Sequence, residues 1–267
     1  MKENPVGVFD SGIGGLSVIE EILKILPGEN IIYFGDTARV PYGTKSEKVV
    51  KRFSIEDVKF LLKFNPKVII IACHTASSLA GDFLKNQFPH IHFIDVVRPS
   101  VDKAVKLTVN KKIGVIGTSA TVSSGKYTEL IKEKDKEIKV FSQACPLFVP
   151  LVEEGLTSHR ISYEIAEYYL KNLKEKNIDT LILGCTHYPY LKSVISDVFE
   201  GNVNIVDASY EVAVELKNFL QKKEDVRYKN DGTLSLFFSD ISPYTENAIK
   251  ILLKEKKFKL EKVEVKF

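Results

Sequence analysis

The sequence predicts an α/β protein of two pseudosymmetric lobes, each with a parallel sheet flanked by helices. Apolar runs typical of strands alternate along the chain with helical patterns, which favours parallel sheets covered on both faces. The strand segments are continuously apolar rather than alternating, as strands buried on both faces should be. Residues 5–11 also resemble residues 112–118, which indicates an internal repeat.

The elements of the first lobe follow from apolar runs and from breaking residues. Strands are predicted where β-branched and aromatic residues cluster, at 6–9, 31–34, 68–72 and 92–96. The helices between them are expected to end at Gly or Pro signals, such as Asn65-Pro66 and Pro89. These helices cover residues 15–26, 46–64 and 76–88.

The same rhythm continues through the rest of the chain. Further strands are predicted at 112–116, 138–142, 180–183, 203–206 and 233–238. Further helices are predicted at 100–107, 119–133, 159–174, 190–199, 210–222 and 243–254. Each helix has the length and polar flanks of a segment that covers a sheet.

The chain organisation follows from the repeat. A break is expected near Val97-Arg98-Pro99, so that residues 98–207 form the second lobe. The last 60 residues are too few for a third domain of this type, and we expect residues 208–267 to join residues 1–97 in the first lobe. Facing lobes would place the site in the cleft between them.

Composition and charge exclude several functional classes. A net charge of +3 on 267 residues, with 27% charged residues of mixed sign, provides no basic face for nucleic acid. No apolar run is long enough for a membrane span, and the N-terminus shows no signal-peptide pattern. Three cysteines, an odd number, argue against a disulfide framework. Reduced thiols predict a cytoplasmic protein.

Two cysteines at strand ends are the most informative residues. Cys73 follows the apolar run 68–72, and Cys185 follows the run 180–184. Each begins a short polar turn that leads into a helical pattern, and ligands of α/β folds bind at the carboxyl ends of strands. A substrate held between two such thiols would meet one on each face. This is what a proton transfer from one face of a carbon to the other requires.

Each of these thiols has a histidine within two residues. A nearby imidazolium makes thiolate available, so His187 could activate Cys185 and His74 could do the same for Cys73. A single histidine is more often a hydrogen-bonded structural residue, but its repetition beside both strand-end thiols favours a functional role. Cys145 has no such neighbour, and we expect it to be a buried, inert thiol.

The turn after the first strand invites comparison with a dinucleotide-binding loop. Residues 10–16 are rich in glycine, and Asp36 follows at about the distance of a ribose-binding acid. However, Ser17 occupies the position of the third glycine, and Asp10 would oppose a pyrophosphate. The turn is better suited to a small anion at a helix N-terminus. Asp10 could then pair with an ammonium group, orient a thiol, or simply cap the helix.

Three other loops contain polar residues that could contact a ligand. Residues 40–44 form a turn signal, Thr118 and Thr121 follow a predicted strand, and Glu153 lies in a segment bounded by Pro and Gly that we expect to be a loop. The threonines could bind an anion or only cap a helix. Loop acids are usually only solvated, so Glu153 is a candidate.

Several reaction classes fit these residues. Cys185 and His187 could form a nucleophilic pair for acyl transfer, as in a cysteine-dependent amidase, but Cys73 would then have no role. The two Cys–His pairs could bind zinc, although neither pair has the spacing of a zinc finger. An amino-acid binding protein without activity would not need both thiols.

Four motifs resemble the glutamate racemases of the aspartate/glutamate racemase family. They are Phe-Asp-Ser-Gly-Ile-Gly-Gly at 9–15, Pro-Tyr-Gly at 41–43, Ala-Cys-His-Thr-Ala-Ser at 72–77, and Leu-Gly-Cys-Thr-His-Tyr-Pro at 183–189. The resemblance implies cofactor-independent interconversion of L- and D-glutamate, which supplies D-glutamate for peptidoglycan and hence for cell-wall biogenesis and cell shape. It also implies a cytoplasmic homodimer. Aspartate as the substrate remains the nearest alternative.

The resemblance also implies roles for individual residues. The acid/base thiols would be Cys73 and Cys185, assisted by Asp10, Glu153 and His187. Substrate contacts would come from Asp10, Ser11, Pro41, Tyr42, Gly43, His74, Thr75, Thr118, Thr121, Thr186 and His187.

Two features depart from patterns seen in the family. Asn is usual at the position of His74, and a neutral histidine can replace only part of its hydrogen bonding, whereas a protonated one would add a positive charge beside Cys73. The short N-terminus lacks the extension that some members use for activation by a peptidoglycan precursor, so we expect no such regulation.

Overall fold

The computed structural model describes residues 2–229, 231–253 and 256–264. Its strands are β1 (Val6–Asp10), β2 (Ile31–Gly35), β3 (Val68–Ile71), β4 (Phe93–Asp95), β5 (Lys112–Gly117), β6 (Lys139–Ala144), β7 (Thr180–Gly184), β8 (Asn204–Val206), β9 (Leu234–Phe238) and β10 (Lys259–Lys262). Its helices are α1 (Leu16–Ile25), α2 (Glu47–Leu62), α3 (His74–Gln87), α4 (Val97–Leu107), α5 (Ser119–Ser123), α6 (Lys126–Lys134), α7 (Phe148–Glu153), α8 (Arg160–Glu175), α9 (Lys192–Val198), α10 (Ala208–Lys222) and α11 (Pro243–Leu253).

The chain divides into two compact units. The first unit comprises Met1–Val96 with Ser209–Phe267, and the second unit is Val97–Ala208. The six strands of the first unit form one sheet in the order β10-β9-β2-β1-β3-β4, and the four strands of the second form another in the order β6-β5-β7-β8. Every strand pair in both sheets is parallel. The predicted fold class, parallel sheets flanked by helices, is confirmed.

Each unit has its own apolar core beneath its sheet. In the first unit the core is rich in aromatic rings, with Phe60 packed on Phe34 and Phe237 at centroid distances of 4.8 and 5.4 Å. Burial of each such side chain contributes about 1.5–3 kcal/mol relative to exposure. Cys73 belongs to this core and Cys185 to that of the second unit, so both thiols rest on packed, rigid surroundings.

A buried ion pair anchors the segment that returns to the first unit. Lys67 and Glu29 are almost wholly buried and lie 2.7 Å apart. The Lys67 ammonium also donates to the carbonyl of Asp225 at 2.9 Å, and Glu29 accepts from the backbone N–H of Arg227 at 2.8 Å. The segment between α10 and β9 is thus fixed to the beginning of β3.

The structure corrects some of the predicted elements. The single helix expected over 119–133 is two helices, because Gly125 between them has a left-handed φ of +67°. The expected loop around Glu153 is helix α7, and Glu153 is its last residue. Strand β10 was not predicted, and a 3-10 turn at Tyr188–Leu191 begins before the helix expected at 190–199.

Some of the predicted residues lie outside the part of the chain that the structure describes. Lys254, the last residue of the helix expected over 243–254, lies outside the described residues, as do positions 1, 230, 255 and 265–267 of the predicted first lobe.

Among the helices described, none combines the length and the apolar character needed to cross a membrane.

Candidate active site

A first cluster of candidate site residues lies at the carboxyl ends of three adjacent strands of the first unit. Because β1 pairs with both β2 and β3, the segments that follow these strands reach the same edge of the sheet. The sequence-predicted residues at this edge are Asp10, Ser11, Pro41, Tyr42, Gly43, Cys73, His74 and Thr75.

A tight turn after β1 holds Asp10 and Ser11. The backbone N–H of Gly12 donates to Oδ2 of Asp10 at 2.9 Å, and the hydroxyl of Tyr33 donates to the carbonyl of Gly12 at 2.7 Å. At Gly15 an added Cβ would lie 2.7 Å from the Cβ of Asp10, so only glycine fits there. The turn therefore fixes a fully buried carboxyl group next to Ser11.

Cys73 occupies the N-cap position of helix α3. Its thiol donates to Oγ of Ser11 at 3.6 Å, and its sulfur accepts from the backbone N–H of Ala76 at 3.5 Å. The positive end of a helix dipole favours a negative charge at this position. With 5% of its surface exposed, the residue is buried but still reached from outside.

His74 and Thr75 form the first turn of α3 and are almost wholly buried. Burial lowers the pKa of His74 from 6.5 to about 3, so the imidazole is neutral at physiological pH. Of the two forms considered from the sequence, burial therefore favours the neutral one. A neutral ring adjoins Cys73, able to donate one hydrogen bond and accept another.

The Pro41–Gly43 segment forms a turn whose side chain and backbone face different surroundings. Tyr42 begins a 3-10 turn, Tyr42–Thr44, and its ring is 1% exposed. Its hydroxyl contacts carboxylate oxygens of Asp36 at 2.6 Å and Asp57 at 3.0 Å. The hydroxyl is thus occupied inside the protein, which leaves the backbone of this turn and the exposed Pro41 to contact a ligand.

A second cluster of candidate site residues lies at the carboxyl ends of the two central strands of the second unit. Gly117, the last residue of β5, pairs in register with Gly184, the last residue of β7. Thr118 follows the first of these glycines and Cys185 follows the second, so both reach the same edge. The sequence-predicted residues of this edge and of the adjoining helix α7 are Thr118, Thr121, Glu153, Cys185, Thr186 and His187.

Thr118 is the N-cap of the short helix α5. Its Oγ1 accepts from the backbone N–H of Thr121 at 3.2 Å, and the two hydroxyls lie 3.0 Å apart. The capping role expected as one alternative is therefore present. Thr118 is partly exposed at this edge, whereas Thr121 is 1% exposed.

Cys185, His187 and Glu153 form a hydrogen-bonded relay. Sγ of Cys185 is 3.8 Å from Nδ1 of His187, and Nε2 of His187 is 3.2 Å from Oε1 of Glu153. Burial alone would lower the pKa of His187, but the hydrogen bonds and charges of Cys185 and Glu153 raise it to about 10. The imidazole is therefore held as a cation between the sulfur of Cys185 and the carboxylate of Glu153.

Close packing explains why this relay is well positioned. An added Cβ on Gly184 would lie 2.6 Å from the carbonyl oxygen of Ile116, so the strand that leads to Cys185 requires glycine here. The hydroxyl of Tyr188 donates to the carbonyl of Cys145 at 2.9 Å, and its ring meets Phe148 edge-on. These contacts fix the 3-10 turn after His187 against helix α7, which ends at Glu153.

Cys145 differs from the other two cysteines. It is fully buried, and burial, with a smaller effect of nearby Cys185, raises the pKa of its thiol well above the usual value. Its thiol makes a weak donor contact to the carbonyl oxygen of Gln143 at 3.7 Å. It therefore behaves as a protonated core thiol, in line with the expectation from the sequence.

Sequence reasoning missed the residues that hold the Tyr42 side chain. Asp57 on α2 and Arg39 were not predicted, and Asp36 was considered only as a possible ribose ligand. No local sequence motif indicates a role for Asp57, because its hydrogen-bond partners Arg39 and Tyr42 lie 18 and 15 residues earlier in the chain. Among the described residues, no three His, Cys, Asp or Glu side chains group as a metal site.

Comparison with known proteins identifies the family. A family model described as Asp/Glu/Hydantoin racemase matches residues 6–216. The chain belongs to the Asp/Glu/Hydantoin racemase family. Within it, the chain is 44% identical over 256 residues to the glutamate racemase of Thermoanaerobacter pseudethanolicus, which covers 96% of each protein.

Solved structures of the family have the same fold. The glutamate racemase of Francisella tularensis in complex with D-glutamate superimposes with a TM-score of 0.94 at 37% identity, over 99% of both chains. A glutamate racemase isoform from Bacillus anthracis gives a TM-score of 0.95 at 36% identity, over 99% of this chain and 98% of that one. The two-lobe family fold thus extends over nearly the whole chain.

Proposed function

We propose that this protein is an amino-acid racemase that interconverts L- and D-glutamate without a cofactor. One observation carries the proposal: each of two parallel-sheet units ends a central strand with a cysteine in a polar turn, in a chain 44% identical to a glutamate racemase. Cys73 and Cys185 would be the two acid/base groups. The solved relative that binds D-glutamate supports glutamate as the substrate class.

The reaction needs two thiols in opposite protonation states. One thiolate removes the α-proton of glutamate, and the thiol on the other face of the carbon donates a proton to it. The intermediate carbanion has no electron sink, so its charge must be stabilised by hydrogen-bond donors aimed at the substrate carboxylate. At the end of a turnover the thiols have exchanged roles, and the same site then serves the reverse direction.

The second cluster, at the ends of β5 and β7, would supply electrostatic support for one thiolate. His187, held as a cation by its hydrogen bonds to Cys185 and Glu153, would stabilise a thiolate at Cys185. In the first cluster the helix terminus at Cys73 and the adjacent Ser11 hydroxyl would do the same for Cys73, and Asp10 would orient the substrate ammonium.

The substrate contacts would come from backbone and hydroxyl groups at both sheet edges. We assign them to the turn residues Ser11, Pro41, Tyr42, Gly43, His74, Thr75, Thr118, Thr121 and Thr186. For Tyr42 the contact would be through the backbone, since its hydroxyl is occupied. We further propose a cytoplasmic homodimer that supplies D-glutamate for peptidoglycan.

One feature favours acyl transfer as a second candidate. Cys185, His187 and Glu153 have the order of nucleophile, base and orienting acid. In this alternative hydroxylamine would trap an acyl-enzyme on Cys185, and Cys73 would be dispensable. The racemase proposal expects no such adduct.

The test follows circular dichroism of L-glutamate and, separately, L-aspartate with the purified protein and no added cofactor. The glutamate signal should decay to zero as the racemic mixture forms. An unchanged signal would overturn the proposal, and decay with aspartate alone would move the substrate to the shorter amino acid.

Deuterium incorporation tests the two-thiol mechanism. In D₂O the donor thiol carries deuterium because S–H groups exchange rapidly with solvent. Early D-glutamate formed from L-glutamate should therefore be deuterated at the α-carbon, while unreacted L-glutamate remains protiated. The mirrored result is expected from D-glutamate. Substantial protium in the early product from both directions would contradict the assignment of one thiol to each face.

A further inference from the structure

A buried polar cluster lies behind the Pro41–Gly43 turn. We define the Arg39 cluster as Asp36, Arg39, Tyr42, Glu56 and Asp57. Nε of Arg39 is 2.5 Å from Oδ2 of Asp36, its Nη2 is 3.2 Å from Oδ1 of Asp57, and its Nη1 contacts Glu56. Asp36 and Asp57 are fully buried, whereas the Glu56 side chain is 18% exposed.

The charges of this cluster do not balance if all its acids are ionised. One guanidinium would face three carboxylates, two of them without access to water. Leaving a buried carboxylate uncompensated costs several kcal/mol, so such a group binds a proton instead. At least one proton is therefore expected on a carboxylate of the cluster.

Hydrogen-bond geometry indicates which carboxylate holds it. Asp36 accepts from Arg39, from the Tyr42 hydroxyl at 2.6 Å and from the hydroxyl of Ser239 at 2.9 Å, so its oxygens face donors. A phenol has one proton, and Tyr42 gives it over the shorter distance to Asp36. The 3.0 Å contact between Oδ2 of Asp57 and the same phenol oxygen then needs a proton from Asp57.

The surroundings of Asp57 agree with this assignment. Burial raises the pKa of Asp57 well above its usual value, and the nearby Asp36 and Glu56 act in the same direction, against Arg39 and Tyr42. Burial, together with the charges of Asp57 and Asp36, also raises the pKa of Tyr42, which therefore keeps its own proton.

We infer that Asp57 is a neutral carboxylic acid that donates to Tyr42 and acts as a positioning residue for the Pro41–Gly43 turn. The functional part of this inference rests on the proposed racemase function, in which the backbone of the turn contacts glutamate. The protonated acid joins helix α2 to the Tyr42 ring, while Arg39 and Asp36 hold it from the other side. The turn is thus fixed from behind and presents its backbone in one geometry.

The proton itself is tested by infrared spectroscopy at neutral pH. The difference spectrum between wild type and Asp57→Asn should show the carbonyl stretch of a protonated carboxylic acid, lost in the variant. The matched control, Glu56→Gln, contacts the same arginine from a partly exposed position and should leave this band in place. Absence of the band in the wild type at pH 7, or its loss in the control, would overturn the inference.

The positioning role is tested with three variants and two readouts. Asp57→Asn keeps a donor toward Tyr42 and an acceptor toward Arg39, so the KM for glutamate should stay within about twofold of wild type. Asp57→Leu removes both groups and should raise KM by at least about tenfold with a smaller change in kcat, because the turn binds substrate and product alike. Tyr42→Phe keeps the ring packing and should also raise the KM for glutamate. It provides the test if Asp57→Leu does not fold.

Backbone amide exchange separates this inference from the proposed function. In Asp57→Leu, or in Tyr42→Phe, the amides of Gly43 and Thr44 should exchange faster than in wild type, whereas Asp57→Asn and Glu56→Gln should match it. Unchanged exchange together with an unchanged KM would refute the positioning role. If the wild type fails to racemise glutamate, the proposed function falls, while the infrared band and the exchange rates still decide the state of Asp57.

Discussion

The His187 relay allows a quantitative prediction for Glu153→Gln. The substitution keeps an acceptor oxygen toward Nε2 of His187 and removes only the negative charge. At 3.2 Å, two unit charges interact by roughly 1–5 kcal/mol for effective dielectric constants from about 80 down to about 20. Because the Glu153 side chain is 36% exposed, the lower end applies, about 1–1.5 kcal/mol.

This energy sets the expected change in the titration of His187. One pH unit corresponds to about 1.4 kcal/mol, so the pKa of His187, raised to about 10 in the wild type, should fall by about one unit in Glu153→Gln. The assay is NMR of the imidazole carbon-bound protons between about pH 6 and about pH 11, with His187→Asn to assign the signal. The specificity constant kcat/KM should fall about three- to tenfold in the same variant.

Two results would refute this reasoning. A wild-type midpoint near the ordinary histidine value of 6.5 would mean that the relay does not hold an imidazolium. Identical midpoints in wild type and Glu153→Gln would mean that the carboxylate charge is not felt. The sign extends to stability: because the folded-state pKa is raised, the contribution of His187 is complete below about pH 6.5 and is lost as the pH rises through about 10.

Two further predictions concern the thiols and the strand that carries one of them. Cys73→Ala and Cys185→Ala should each lower the racemisation rate at least about a hundredfold, with folding intact by circular dichroism. The control Cys145→Ala should keep a rate near that of the wild type. Near-normal activity in folded Cys73→Ala or Cys185→Ala would contradict the two-thiol mechanism. Gly184→Ala should cost about 1–3 kcal/mol in urea unfolding and lower kcat at least about tenfold, because its Cβ meets a backbone carbonyl. The control Gly81→Ala, in open space on α3, should instead stabilise by about 0.5–1 kcal/mol, and equal effects of the two would refute the steric argument.

The strand–helix order was predictable because buried parallel strands are written as apolar runs. Val68–Ile71 contains only Val and Ile, a composition typical of a strand that is buried on both faces. Strand β10 escaped prediction for the opposite reason, since Lys259–Lys262 is mostly charged and lies exposed at the edge of its sheet. The break at Gly125 was missed because the helical pattern on both sides of it appears continuous.

The candidate site was predictable only as far as chain position determines it. Cys73 and Cys185 could be placed because each directly follows a strand. The contact between His187 and Glu153 joins residues 34 positions apart, so sequence spacing gave no sign of it. The segment of Glu153 appeared to be a loop because it contains Pro150, although Pro is tolerated in the first turn of a helix. Asp57 was missed because its role depends on tertiary contacts alone.

The strand order of the first unit has a consequence for synthesis of the chain. The second unit is one continuous segment, so all its strands have been synthesised once residue 208 is made. In the first unit, β2 pairs with β9, which is made about 200 residues later. Until then β2 is an open edge that can pair with another chain. Premature termination after the second unit should therefore yield aggregating fragments, and nascent chains of this protein should depend on chaperones longest at their N-terminal end.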